Sequence, residues 1–401
     1  MGCIQSSETS FNASDKIKMT VCISKVGYTK VGDHWQKSLA ELAYEASKDI
    51  IKESSPDALI VSNALSEISS SQGNLGTIIA DALDLNGVPA YRTEAGGASG
   101  GSAVSVGVNL INSGKARRVL IAGVEKMRDI EPARVMFSQG LSENADYTQF
   151  FGISFAAMNA LVTRLYMHEY GVTREKLSSF PVISHKNSST ADHAQFKKKF
   201  TAEEVSRSDA VADPLRVLDC APVGDGAASL LLVSEDIAPD SPVEILCSES
   251  STNTVNFFER PSMLQFGATQ NAVQKCLKNA KLSIEDIDFV ELHDSYSELA
   301  ALSVEAMGIS KPGRACEDAN SGRFDLNGQF PICTFGGMKG RGYPIGAAGI
   351  YQFCEAFMQL TERGGFNQVP SARLGMVQNM SGIDSSCYIH VLKSRLHGGS
   401  R

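Results

Sequence analysis

The sequence predicts an α/β layered fold built as a duplication, with an insertion inside its first half. Three observations carry this. Short apolar runs of strand length alternate with segments whose apolar residues recur at helical spacing, the pattern of a sheet covered by helices. Two small-residue stretches, Ala98-Ser99-Gly100-Gly101 and Gly346-Ala347-Ala348-Gly349, each open one long helix pattern followed by a strand. Self-similarity of that kind over about 150 residues argues for two related halves about a pseudo-two-fold. Within the first half, residues about 127–215 lose the alternation and read as an inserted loop domain.

In order, residues 1–18 are polar and aperiodic, a flexible leader. Met1-Gly2-Cys3-Ile4-Gln5-Ser6 fits the N-myristoylation pattern, with Cys3 open to palmitoylation. The plain alternative is an unmodified leader or a start at Met19, and only lipidation of Gly2 and Cys3 would bring a membrane into play. Residues 19–240 form the first half: strand Val21–Val26, helix Trp35–Ile51, strand Ala58–Val61, helix Leu75–Leu83, helix Ala98–Asn112 and strand Arg118–Ala122. The insertion carries the aromatic run Tyr147–Gly152 and a long helix pattern, Phe155–Tyr170. Strand Ser229–Val233 closes the half. Residues 241–401 repeat the plan with strand Val243–Leu246, helix Ala268–Leu277, strand Phe289–Leu292, helices Leu299–Met307 and Gly346–Leu360, and strands Gly375–Gln378 and Tyr388–Leu392.

At 43% hydrophobic over 401 residues the chain can bury more than one core. A net charge of -8, with no basic block beyond Lys197-Lys198-Lys199, argues against nucleic acid as a partner. The lysines are either a solvated helix end or an attraction for a phosphate group. No apolar run approaches the roughly 18 residues that span a bilayer, and no secretory signal is present. The nine cysteines show neither C-x-x-C nor zinc spacing and read as reduced thiols of a cytoplasmic protein. No metal site is expected.

The stretch Tyr91–Gly101, YRTEAGGASGG, organises the rest. A short extended run breaks at Gly96-Gly97 and turns into a helix. Such a turn exposes backbone N–H groups that lack helical partners, and a residue there sits where a nucleophile would. Gly97 has no side chain to react.

From Met19 to Lys393 the chain resembles the thiolase superfamily, in the branch of archaeal acetoacetyl-CoA thiolases and sterol-carrier-protein thiolases. The matching stretches are EAGGASGG, RRVLIAGVEKM, FFGISFAAMNALVTRLYMHEYG, CAPVGDGAASLLL, FVELHDSYS, GGMKGRGYPIGAAG and VQNMSGIDS. The resemblance implies a five-layer αβαβα thiolase fold, a homodimer and an acyl-CoA substrate. Coenzyme A would then arrive as part of the substrate, with no covalently bound cofactor. Relatives in this branch often pair with a separate OB-fold, zinc-ribbon protein, which implies such a partner here.

The departures bear on mechanism. The family's nucleophilic cysteine is replaced by Gly97, its activating histidine by Tyr343, and a further acid/base cysteine by Ser295. Ser99 matches a structural helix residue of the family. Asn379 stands where other thiolases place a cysteine, and His293 is kept. Gly97 and Tyr343 also match the side-chain-cleaving aldolases related to thiolases, whereas His293 departs from a tyrosine found in some of them. The pattern implies retro-aldol or aldol chemistry on a β-hydroxyacyl-CoA without an acyl-enzyme. Tyr343 or His293 would move the proton, with the Tyr343 pKa depressed by His293 or Arg341. Backbone N–H groups of Gly97 and Ser381 would hold the oxyanion, and Asn379, Ser295, Tyr296 and Arg341 would line the substrate site. Open alternatives are Tyr343 as a filler of the histidine's volume, His293 as a satisfied structural residue and Tyr296 as core. His185 is either a surface residue or a contact to the CoA phosphate. A thiolase-type acyltransferase and a non-catalytic acyl-CoA-binding homologue remain as other functions.

Overall fold

The computed structural model describes residues 19–52 and 55–396, so the leader with Gly2 and Cys3 lies outside it. In the first half, β1 (Val21–Tyr28), β2 (Ala58–Ser62), β3 (Ala90–Thr93), β4 (Arg118–Glu125) and β5 (Gly226–Ser234) lie in the order β3-β2-β4-β5-β1. β2 is buried along its whole length, which is why its sequence is a continuous apolar run. α1 (Leu39–Ile51) and α2 (Leu75–Ala82) cover one face, packing Leu42, Ile50 and Ile79 against Leu59, Val61 and Leu120. α1 begins four residues later than the apolar pattern suggests. Ser38 and Glu41 form a capping box, the Ser38 side chain accepting from the Glu41 N–H and Glu41 from the Ser38 N–H, and Trp35 stays 61% exposed. α3 (Ser99–Asn112) packs on the opposite face.

The insertion contains α4 (Pro132–Gln139), α5 (Phe155–Tyr170) and α6 (Ser179–Ser188). α5 has the predicted bounds, because the Ser154 hydroxyl caps its start and Gly171, at φ +63°, ends it. The second half adds β6 (Val243–Thr252), α7 (Gly267–Ala280), β7 (Phe289–Glu291), α8 (Ser297–Ala306), α9 (Ile345–Leu360), β8 (Leu374–Ser381) and β9 (Ser386–Ser394). Its strands run β6-β9-β8-β7 and join the first half where β1 pairs antiparallel with β6, Ile23 opposite Val243.

α3 and α9 form the middle layer. Val104 and Ile111 of α3 share one cluster with Ile350 and Phe353 of α9 and with strand residues of both halves. α7 and α8 cover the outer face of the second half, with Ala272, Leu299 and Leu302 against Val290 and Ile389. Helix, sheet, helix, sheet, helix is the five-layer arrangement expected. Among the described residues no helix is long and apolar enough to cross a membrane.

The two small-residue openings of the sequence touch here. A Cβ on Gly100 would sit 2.7 Å from Gly349 Cα and 2.8 Å from Ile350 N, so the backbones of α3 and α9 cross in direct contact. Every residue of α9 is buried, its polar ones included. The Gln352 amide donates to Leu292 O at 2.7 Å, Glu355 accepts from Arg341 at 2.7 Å, and Gln359 donates to Asn367 O at 2.8 Å. A fully buried helix tolerates these groups only because each is paired.

One expectation changes. Cys247 of β6 and Cys276 of α7 are joined by a disulfide, so not all the cysteines are free thiols. The packing of α7 on β6 brings their Cα atoms to 5.6 Å, a proximity that a separation of 29 residues does not reveal.

A Gly100→Ala substitution forces a methyl group into backbone that cannot yield. It should lower unfolding stability by about 1–3 kcal/mol, read from the denaturation midpoint at unchanged m-value.

Candidate active site

The apex of the site is built by the starts of the two middle helices. Gly97 lies in the 3₁₀ turn Gly96–Ala98 before α3, and Tyr343 lies two residues before α9. Because Gly100 and Gly349 touch, the two turns are held side by side. His293 follows β7 and enters from the second half. A Cβ built on Gly97 would lie 2.7 Å from each of Tyr343 Oη, His293 Cε1 and Met380 O. The volume that a nucleophile's Cβ would need is therefore already filled. Ser99 is no substitute: it is fully buried, donating to Gly96 O at 2.7 Å and accepting from the Ala95 N–H at 2.9 Å.

Gly97, His293, Ser295, Tyr296 and Tyr343 line one cavity together with Gln139, Ser142, Phe155 and Gly382. Its free volume is about 20 Å³, room for about one water. A wider, mainly apolar cleft of about 560 Å³ adjoins it through Gln139, Ala221 and Tyr296, with Trp35, Met127, Val135 and Val211 on its walls. Gln139 and Ser142 come from a part of the insertion that no motif marks, whereas Phe155, which opens α5, falls within the stretch FFGISFAAMNALVTRLYMHEYG.

The His293 and Tyr343 rings meet edge to face, centroids 5.7 Å apart. His293 Nε2 lies 3.1 Å from Ser295 Oγ, and the Met380 N–H points at Nδ1 from a long 3.5 Å. With Nδ1 accepting, the neutral ring carries its proton on Nε2. Burial disfavours the imidazolium and lowers the His293 pKa to about 3, against the pull of Asp294. Tyr343 behaves oppositely to the depressed pKa expected from the sequence. Burial raises it far above its ordinary value, Glu125 adds to the rise, and Arg341 opposes without prevailing. Both ring residues are neutral near pH 7.

Other candidates fall behind the cavity. Arg341 is fully buried, paired with Glu355 and packed over the Tyr351 ring, and it does not line the site. Asn379 lies beneath the helix crossing, its amide donating to Gln352 Oε1 at 2.5 Å and its side-chain carbonyl packed against Gly349 and, less closely, Gly101. Ser381 packs its hydroxyl behind Gly96, and the neighbouring Gly382 is the residue that lines the cavity. Tyr296 belongs both to the cavity wall and to the core, edge-on to Phe155. His185 is buried against Phe196 and Phe200, neither a surface residue nor part of this cavity.

The sequence singles out HDSY and GGMKGRGYP without saying that one holds the other. Asp294 accepts from the Met338 N–H at 2.6 Å and from Ser184 Oγ at 2.9 Å, and Lys339 bonds its backbone carbonyl. Burial pushes the Asp294 carboxyl up, but Lys339 and these donors outweigh it and hold it below the usual range. Gly337 is obligatory: its φ is +53° and a Cβ would meet the Asp294 carboxylate at 2.5 Å. On the other side Glu125 accepts from the Gly346 N–H at 3.0 Å and the Ala64 N–H at 2.8 Å, anchoring the start of α9. Among the described residues no cluster of His, Cys, Asp and Glu is arranged to hold a metal ion.

Two outcomes follow from this geometry. Gly97→Cys alone should destabilise the fold, and adding Tyr343→His, which removes the Oη contact, should recover part of that loss. A double-mutant cycle by urea unfolding should give a favourable coupling of roughly 0.5–3 kcal/mol; simple additivity would refute the steric link. Second, His293 gains its proton at about pH 6.5 when unfolded but only at about 3 when folded. Its contribution is intact above the unfolded value and is lost as pH falls from the first value to the second. His293→Asn should flatten that part of the stability–pH curve relative to the unsubstituted chain.

The comparisons with known proteins cover the whole described fold. Residues 20–236 match the thiolase N-terminal domain, and residues 249–394 match the thiolase C-terminal domain-like family. The chain is 36% identical over 379 residues to an acetyl-CoA acetyltransferase of Methanothermobacter thermautotrophicus, covering 92% of this chain and 98% of that one. It is 28% identical to human sterol carrier protein 2 over 406 residues, 93% of this chain and 71% of the relative. Among solved structures, one described as an Ltp2-ChsH2(DUF35) aldolase superposes with a TM-score of 0.82 at 21% identity, covering 96% and 100% of the two chains. Human mitochondrial 3-ketoacyl-CoA thiolase superposes with a TM-score of 0.71 at 16% identity, covering 94% and 99%. With both halves matched in order and the layers arranged as described, this chain belongs to the thiolase superfamily.

Proposed function

We propose that this chain is an acyl-CoA enzyme that makes or breaks a C–C bond of a CoA thioester, by retro-aldol or aldol chemistry on a β-hydroxyacyl-CoA and without an acyl-enzyme. The observation that carries the reading is the filled apex. Covalent acyl transfer needs a thiolate or hydroxyl at the turn before α3, and that position holds Gly97 with Tyr343, His293 and Met380 closed around it. Aldol cleavage needs none. It needs donors for the thioester oxygen, where enolate charge builds, and groups that move one proton.

The neutral groups suit the first task. His293 Nε2–H, the Ser295 hydroxyl that it meets at 3.1 Å and the Gly97 N–H at the helix start all belong to cavity-lining residues and are the donors this reading assigns. Tyr343, a phenol at neutral pH, is a proton donor toward the α-carbon. Coenzyme A comes in as part of the substrate, no other cofactor takes part, and the adjoining cleft accepts the remainder of the thioester. The fold shared with an Ltp2-ChsH2(DUF35) aldolase supports the reaction, and the second component in that description supports a separate partner here; the OB-fold, zinc-ribbon type of that partner is what the family resemblance implies. A homodimer completes the assembly.

An acyltransferase is the second reading, favoured by the acetyl-CoA acetyltransferase names of archaeal relatives. The experiment that separates the two uses β-hydroxyacyl-CoA and β-ketoacyl-CoA esters with products and intact protein read by mass spectrometry. The expected result is cleavage of the hydroxy esters with no mass added to the protein. Tyr343→Phe should retain CoA-ester binding while lowering kcat by roughly 10²–10⁴-fold. An acyl adduct on any side chain during turnover would overturn the aldol reading and restore the acyltransferase.

A further inference from the structure

The apex cavity has room for about one water, so whatever else the β-carbon of a substrate carries must lie outside it. Gln139, Ala221 and Tyr296 belong both to that cavity and to the apolar cleft of about 560 Å³ beside it, which makes the cleft the continuation of the site. We infer that this cleft, bounded by Trp35, takes the acyl side of the thioester, and that the substrate is a β-hydroxyacyl-CoA whose β-carbon bears a long or bulky apolar group. The inference rests on the acyl-CoA reading above and adds to it which acyl groups the site accepts.

Two loops that one carboxylate holds together carry the walls. Asp225, fully buried, accepts from the Met127 and Arg128 N–H groups at 2.7 and 3.0 Å through one oxygen, and from the His34 N–H at 3.1 Å through the other. Lys126 Nζ crosses the same gap, donating to His34 O at 2.9 Å and to Lys37 O at 2.5 Å while pairing with Asp129. The backbone of Trp35 is therefore pinned on both sides, yet its ring stays exposed. Trp35 lines this cleft and a second one of about 420 Å³, but not the cavity, which places it at the boundary away from Tyr343. Met136 from α4 and Val211 from the end of the insertion are exposed as well and line the same cleft. Large apolar side chains held toward one shared space mark a ligand groove rather than incidental exposure.

Charge decides which end of the thioester enters. Among the described residues on the walls Arg128 is the one cation, and its Nε is paired with Asp33 at 2.8 Å, whereas Asp129 and Glu131 are acids. Nearby, Lys126 is paired with Asp129 and Lys37 with Glu45. The phosphates of coenzyme A would meet a wall whose cation is already neutralised and whose acids repel them. A hydrocarbon meets Met127, Val135, Met136, Val211 and Trp35 instead and gains by leaving water. The volume lies in the range of about 300–1,000 Å³ that encloses drug-sized ligands, far more than an acetyl group fills.

Trp35 is the only tryptophan of the chain, so tryptophan fluorescence reads this cleft directly. A saturated long-chain acyl-CoA, which lacks the β-hydroxyl and cannot undergo aldol cleavage, should shift the Trp35 emission to shorter wavelength, and coenzyme A and acetyl-CoA should not. With β-hydroxyacyl-CoA esters whose β-substituent lengthens from methyl to decyl, kcat/KM should rise by roughly fourfold per methylene, the gain for burying one, until the cleft is full. Trp35→Ala should cut kcat/KM for the longest ester at least roughly tenfold more than for the shortest. Val211→Glu, which puts a charge on the wall, should do the same and serves as the test should Trp35→Ala fail to fold.

Cleavage with a flat dependence on chain length overturns the inference and leaves the aldol reaction standing. So does a Trp35 shift produced by coenzyme A itself, which would put the nucleotide in the cleft, or no shift with the long-chain ester. Equal losses for long and short esters in the variants overturn it too, since they mark general damage rather than selection of the acyl group. Absence of cleavage of every hydroxy ester overturns the aldol reading instead, and the fluorescence measurement, which needs no turnover, then decides by itself whether the cleft takes the acyl group.

Discussion

The backbone contact between Gly100 and Gly349 is the constraint on which the site depends. Each residue sits near the start of one middle helix, and their contact fixes how closely the two helices approach. Everything placed at those helix starts inherits the spacing. Gly97 is three residues before Gly100, and Tyr343 is six before Gly349. Two chemistry-bearing turns from opposite halves, separated by more than two hundred residues of chain, therefore share one cavity. Side chains at either glycine would separate the helices and with them the turns.

Around this crossing the protein uses buried charge as scaffolding. Asp294 gathers the loop that carries Tyr343, while Glu125 ties the start of α9 to the segment after β2. Arg341, Glu355 and His193 form a chain of paired groups beneath the same loop. Breaking one partner of such a set leaves the other uncompensated, so the sets fix geometry more than they add stability. The loop can hold a tyrosine ring against a histidine ring because its own backbone is pinned on both sides.

The same burial decides protonation. A thiolase-like apex with a thiol would need a neighbour able to take a proton. Here His293 and Tyr343 are buried deeply enough that neither ionises at neutral pH, and both are left as hydrogen-bond donors. The replacement of cysteine by Gly97 and of histidine by Tyr343 is thus one change in physical terms, since the phenol occupies the space into which the lost side chain would project. That coupling converts two departures from a family pattern into a single altered pocket.

The sequence by itself determined the layered architecture, the duplication and the identity of the turns, because strand and helix periodicities and small-residue openings are local signals. It also singled out Gly97, His293, Ser295, Tyr296 and Tyr343, all of which the fold brings to one cavity. Tertiary structure decided which polar residues face that cavity. Arg341 and Asn379 look like binding residues in the chain, yet packing turns them into the core, whereas Gln139 and Ser142 come to the cavity wall from a part of the insertion that no motif marks. It also decided charge state: the sign of the Tyr343 shift depends on how much water burial removes, and the Cys247–Cys276 pairing depends on how α7 lies on β6. Both are properties of distance in space, which spacing along a chain does not contain.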